Sequence, residues 1–160
     1  METVELEEWD KARVQKETNM EALKLHGAYL GFIEEKLGKD AVVECISAMA
    51  KLEAGALQNT PTKEDGALKL AVIQGTALKN FCGSEDVEVE GNEEQAIVTI
   101  GKCMALENTR ELSKIGAPIT EEMGCDGCRG FYANLAKFMG LENADFVRTD
   151  DGCRYVYSKI

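Results

Sequence analysis

The hydrophobic period changes near the middle of this chain, and that change limits the fold more than any other feature. Up to about residue 83, apolar residues recur every three or four positions, the spacing of a helix face. Beyond it, Val87-Glu88-Val89-Glu90 and Ala96-Ile97-Val98-Thr99-Ile100 alternate in period two, as strands with one buried face do. Helices grouped first and strands grouped in hairpins predict an α+β class, with an antiparallel sheet flanked by helices.

Met20, Leu23, Gly27, Leu30 and Leu37 mark a long first helix in a stretch, Leu6 to Leu37, free of proline. Gly38 suits its C′ position and Asp40 the next N-cap. Val42, Cys45, Ile46, Met49, Leu52 and Ala56 form the apolar stripe of a second helix. Thr60-Pro61 reads as an N-cap followed by proline at the first helical position. The third helix it opens has Leu68, Ala71, Val72, Gly75 and Leu78 on its face and ends at Gly83. After a hairpin turning at Gly91-Asn92, a helix is predicted from about Cys103 to Ile115 and another from Thr120 to Met139. Two short strands, Ala144 to Thr149 and Cys153 to Ser158, flank the Asp150-Asp151-Gly152 turn. The order is ααα–ββ–αα–ββ, without repeats or linkers. In 160 residues this predicts a single α+β domain over 1–160. Residues 1–19 are highly charged and are the most detachable piece, a peripheral helix suited to a partner or a homodimer.

Acidic residues outnumber basic ones 29 to 18, for a formal charge of −11, and no basic run occurs. Such a surface repels nucleic acid and anionic membranes. The first residues, Met1-Glu2-Thr3-Val4-Glu5, lack the basic and apolar regions of a signal peptide. No apolar stretch approaches the roughly 20 residues that span a bilayer. A cytoplasmic protein is therefore expected, with its six cysteines reduced and serving metal, catalysis or the core.

Cys45, on a helical stripe, and Cys82, in the last turn of a helix, read as small core hydrophobes. Cys103 follows a strand and opens a helix. There the positive helix end would favour a thiolate, although a core contact is equally consistent. Cys125 and Cys128 lie in Gly124-Cys125-Asp126-Gly127-Cys128-Arg129-Gly130. Three glycines would cost a helix about 1 kcal/mol each relative to alanine. They call for close backbone approach to a neighbour or ligand, or for a loop around a metal. Cys153 starts the last strand on one face with Tyr155 and Tyr157, which can line a pocket or cover the core. If Cys103, Cys125, Cys128 and Cys153 converge, they could hold zinc or an iron–sulfur cluster. The single histidine, His26, excludes a two- or three-histidine metal site within the chain and reads as a partly buried helix residue.

The stretch from Gly101 to Lys159 orders a cysteine after a strand, a helix, a central Cys-Asp, and a closing hairpin with Gly152, Cys153, Arg154 and Tyr155. In this it resembles the L-2-amino-thiazoline-4-carboxylic acid hydrolase family and, more distantly, vinyl-4-reductase domains, with residues 84–160 as the matching core. The resemblance implies a pocket for a small organic ligand, assigned here to Phe131, Tyr155 and Tyr157. It also implies ring opening of a cyclic amidine by water, with Cys103 and Cys153 as the catalytic thiols and Cys125 as a further matching cysteine. Some members of the second group bind zinc near the final hairpin. This chain has Glu142 and Cys153 in comparable places, Asp145 where a cysteine is expected, an additional Cys128, and no proline after Cys103. Three functions stay open: a ligand- or metal-binding sensor, carrier or accessory factor; a hydrolase of a small cyclic amidine; and a structural or assembly protein with core cysteines.

Overall fold

The computed structural model describes residues 7–59 and 63–160. The fold is α+β. Three helices, α1 (Lys11–Leu37), α2 (Lys39–Gln58) and α3 (Gly66–Asn80), precede the hairpin β1 (Glu85–Gly91) and β2 (Gln95–Lys102). Helices α4 (Met104–Lys114) and α5 (Glu121–Phe138) follow, then β3 (Leu141–Arg148) and β4 (Cys153–Lys159). The four strands form one antiparallel sheet in the order β1-β2-β4-β3, so the two hairpins are joined by pairing of β2 with β4.

Local chemistry sets most boundaries. Asp10 accepts the Arg13 N–H at 2.8 Å and Thr120 accepts the Met123 N–H at 3.2 Å, capping α1 and α5 through their side chains. Gly38, with φ 88°, separates α1 from α2 at a conformation that favours glycine. Helix α3 begins later than its sequence signal, after Asp65, where the Ala67 N–H donates to the Glu93 carbonyl at 2.9 Å. Thr60-Pro61 lies outside the described residues. Strand β3 begins three residues earlier than its alternation indicates, immediately after Gly140.

Register places Val89, Val98, Tyr155 and Phe146 in one row across the sheet. This row faces the helices. Gly75 of α3 lies against Val87 and Val89, and the rings of Phe131 and Tyr132 on α5 pack toward Tyr155. The opposite row of Glu88, Thr99, Arg154 and Val147 lies on the other face. Both outer strands are irregular: β1 carries four acidic residues in seven, and β3 shifts register between Asn143 and Asp145.

Two helical expectations are corrected. In α2 the fully buried residues are Ala50, Ala54 and Leu57; Val42, Cys45, Ile46 and Met49 of the stripe read in the sequence are half-buried, but Leu52, 80% exposed, and Ala56 lie outside. Small alanines are buried because α2 lies close to α1 and α5. The charged segment 11–19 is continuous with α1 and tied to its neighbours. Gln15 Nε2 donates to the Asn80 carbonyl at 2.5 Å, and Asn108 Nδ2 donates to Asn19 Oδ1 at 2.7 Å. Among the described residues no helix is long and apolar enough to cross a membrane.

Candidate functional site

Pairing of β2 with β4 is what gathers the late cysteines. Ile100 stands opposite Cys153, and the Cys103 N–H donates to the Asp151 carbonyl at 2.7 Å. The residue leaving one central strand is thereby tied to the turn that opens the other. Gly152 permits the approach, since a Cβ there would collide with the Ile100 carbonyl. Helix α5 passes over this junction with Cys125 and Cys128 three residues apart, on neighbouring positions of one face. Cys103, Cys125, Cys128 and Cys153 all line one cavity of about 340 Å³, walled by the helices and by β3 and β4.

The three glycines of α5 stand in different surroundings. A Cβ on Gly124 would stand 3.3 Å from Thr109 Oγ1 of α4, and one on Gly130 would stand 3.8 Å from Ile46 Cγ2 of α2. Gly127 lines the cavity, and a Cβ there would meet nothing within 4 Å. Close packing against α4 thus accounts for Gly124 alone, Gly130 has room for a methyl, and Gly127 leaves cavity space open.

Aromatic rings form the cavity's inner wall. Phe131 meets Tyr132 edge-on at 5.3 Å between centroids, Tyr132 meets Tyr155 at 5.8 Å, and Phe146 tilts against Tyr155 at 4.8 Å. Phe131 and Tyr155 line the cavity, and so do Tyr132 and Phe146, which were not anticipated. Tyr157 does not line the cavity. It shares the strand face of Tyr155 but lies two residues deeper, fully buried, with its hydroxyl donating to Gln74 Oε1 at 2.6 Å. Period two gives the face of a strand and not how far a cavity extends along it.

Four of the thiols sit in surroundings that favour the neutral form. Burial pushes the Cys128 thiol up to about 12 and the Cys82 thiol up to about 11. Burial also raises Cys125, and it raises Cys153 with the neighbouring thiols adding to the effect. Cys128 Sγ lies 3.4 Å from the Tyr155 hydroxyl. Cys103 is the N-cap residue of α4, but its side chain makes no capping bond. The Met104 N–H donates instead to Ser84 Oγ at 3.2 Å, so a hydroxyl and not sulfur serves that helix end.

Among the described residues no set of three or more His, Cys, Asp or Glu side chains could hold a metal ion. The four thiols, from a loop, a helix and a strand, share a wall and not a point. They do not form a closed zinc site, which needs its sulfurs about 2.3 Å from one metal. Glu142 and Asp145 are exposed, and neither lines the cavity. His26, expected to be partly buried, is exposed and borders the cavity from α1.

A charged cluster that sequence reasoning missed stands at the cavity's edge. Glu121 Oε2 pairs with Arg148 Nη2 at 2.9 Å, and Glu121 Oε1 with Arg110 Nε at 3.2 Å. The Arg110 side chain beside it, joined by Arg148, holds the Glu121 carboxyl below the usual carboxylate range. Read in one dimension, Glu121 only complements the dipole of α5; its partners lie 11 and 27 residues away, beyond any local pattern. The chain matches no family model, no curated protein and no solved structure.

Proposed function

We propose that this domain binds a small, largely apolar molecule in the thiol-lined cavity, as a sensor, carrier or accessory factor. The observation that carries the reading is the open cavity of about 340 Å³ beside Gly127. Protein interiors are close-packed, and voids larger than a water molecule are few. A cavity of this volume falls within the range of small-molecule sites. Its wall of aromatic rings, aliphatic side chains and thiols suits an apolar body, with the Tyr155 hydroxyl available for orientation.

Burial of Cys128 and Cys153 favours the binding reading over catalysis by those two thiols. Nucleophilic attack needs a thiolate, and burial keeps the proton on Cys128 and Cys153. Ring opening of a cyclic amidine by Cys153 would therefore start from the unreactive form.

Calorimetric titration of the purified chain with 2-naphthalenemethanol, an uncharged bicyclic aromatic, tests the reading. Saturable one-to-one binding is expected in the wild type. Gly127→Leu, which places a side chain in the cavity, is expected to abolish it while cooperative unfolding is retained. Equal binding by both proteins, or none by the wild type, removes the proposal.

A further inference from the structure

We infer that the molecule the cavity takes carries one anionic group, a carboxylate by preference, seated against Arg148 at the cavity's charged edge. The inference rests on the reading of the cavity as a ligand site and adds the ligand's chemical class. Among the described residues, Glu121 and Arg148 are the only acidic and basic side chains, other than His26, that line the cavity. Both oxygens of Glu121 are engaged, one by Arg148 and one by Arg110. Arg148 is not spent in the same way. Only its Nη2 is bonded, and among the described residues Nε and Nη1 have no partner. A guanidinium presents five N–H donors in a planar fork that matches a carboxylate. The edge of the cavity therefore has guanidinium donors left to offer, while the Glu121 carboxylate is already held by two arginines.

Competing sources of charge are already settled. Arg110 does not line the cavity, and its other nitrogens go to Glu107, Asp151 and the Asp150 carbonyl, the last at 2.7 Å. Burial raises the Cys125 thiol, and the Arg148 charge beside it only partly offsets that rise. The chain's net charge of −11 opposes anions at long range. Screening confines that effect to about 8 Å at physiological salt, whereas the fork acts by contact. Away from this edge the wall is aromatic and aliphatic, so the rest of the ligand is apolar. At roughly 30 Å³ per water-sized group, the volume admits about a dozen non-hydrogen atoms. That is the size of a bicyclic aromatic acid or a medium-chain aliphatic one.

Three probes of one shape test this: 2-naphthoate, 2-naphthalenemethanol and 2-naphthylmethylammonium, titrated calorimetrically into the full chain. The acid is expected to bind at least about tenfold tighter than the alcohol, consistent with a charged hydrogen bond, and the ammonium weakest. Arg148→Gln should remove the acid's advantage over the alcohol. Glu121→Gln, which frees Arg148 of its counter-charge, should move acid affinity the other way, upward; a purely structural role for the pair would weaken binding in both variants. If the alcohol binds and the acid does no better, or if both variants weaken all three probes alike, the anionic-ligand inference falls and the cavity reading stands. If none of the three binds the wild type, both fall together.

Discussion

Alanine in place of Gly127 should stabilise this protein, although the residue lines its candidate site. An interior helical glycine costs about 1 kcal/mol relative to alanine, and α5 carries three of them. At Gly127 the new methyl meets nothing within 4 Å, so the whole gain is kept. For a chain of this length about 1 kcal/mol corresponds to a rise in Tm of roughly 2–4 °C. Gly130→Ala should behave similarly, since Ile46 Cγ2 at 3.8 Å is in ordinary contact. Gly124→Ala should gain little or nothing, because its methyl would press on Thr109 Oγ1 at 3.3 Å. That hydroxyl is itself held by the Ala105 carbonyl at 2.8 Å. Gly152→Ala should be severely destabilising, since the Ile100 carbonyl occupies the space and belongs to the junction of β2 with β4. Urea denaturation at constant m, with calorimetry for Tm, ranks the four. A fall in Tm for Gly127→Ala, or equal shifts for Gly124→Ala and Gly127→Ala, would refute the account of why α5 holds its glycines.

Two further expectations concern the buried polar groups. Tyr157→Phe strands Gln74 Oε1 in a residue whose Nε2 already has no partner, and should cost about 1–3 kcal/mol. Combining it with Gln74→Leu should recover part of that loss in urea denaturation, and purely additive losses would refute the pairing. Cys128 should resist iodoacetamide at pH 8 in the folded protein and react on unfolding, as read by mass spectrometry. Its proton is held to about 12 when folded, against an ordinary value of 9.0, so the unfolded chain releases it first. Stability should therefore fall as pH rises between those values, and Cys128→Ala should flatten the fall; an unchanged slope would refute the link.

The sequence carried the elements better than their assembly. Both hairpins, and the helices at 104–114 and 121–138, were legible because caps, glycines and prolines act within a few residues. The burial of Ala50 and Ala54 in α2 was not, because alanine is buried there by the proximity of other helices and not by its own hydrophobicity. The gathering of Cys103 with Cys153 depends on pairing β2 with β4, strands 50 residues apart whose alternation would fit other neighbours equally well. Tyr155 and Tyr157 look alike in one dimension, yet one lines the cavity and the other is spent on Gln74. Arg148 gave no signal at all, since its importance comes from partners on two other elements.

The irregular outer strands bear on how this chain behaves in a crowded solution. An open sheet has two rims of unpaired backbone groups, each a template on which another chain could add a strand and begin a fibril. Here β1 puts its acidic residues along one rim, so a second copy would bring like charges together. On the other rim the shift between Asn143 and Asp145 breaks the regular spacing that an incoming strand must match. The sheet is thus guarded against self-templating at both rims, by charge on one and by geometry on the other.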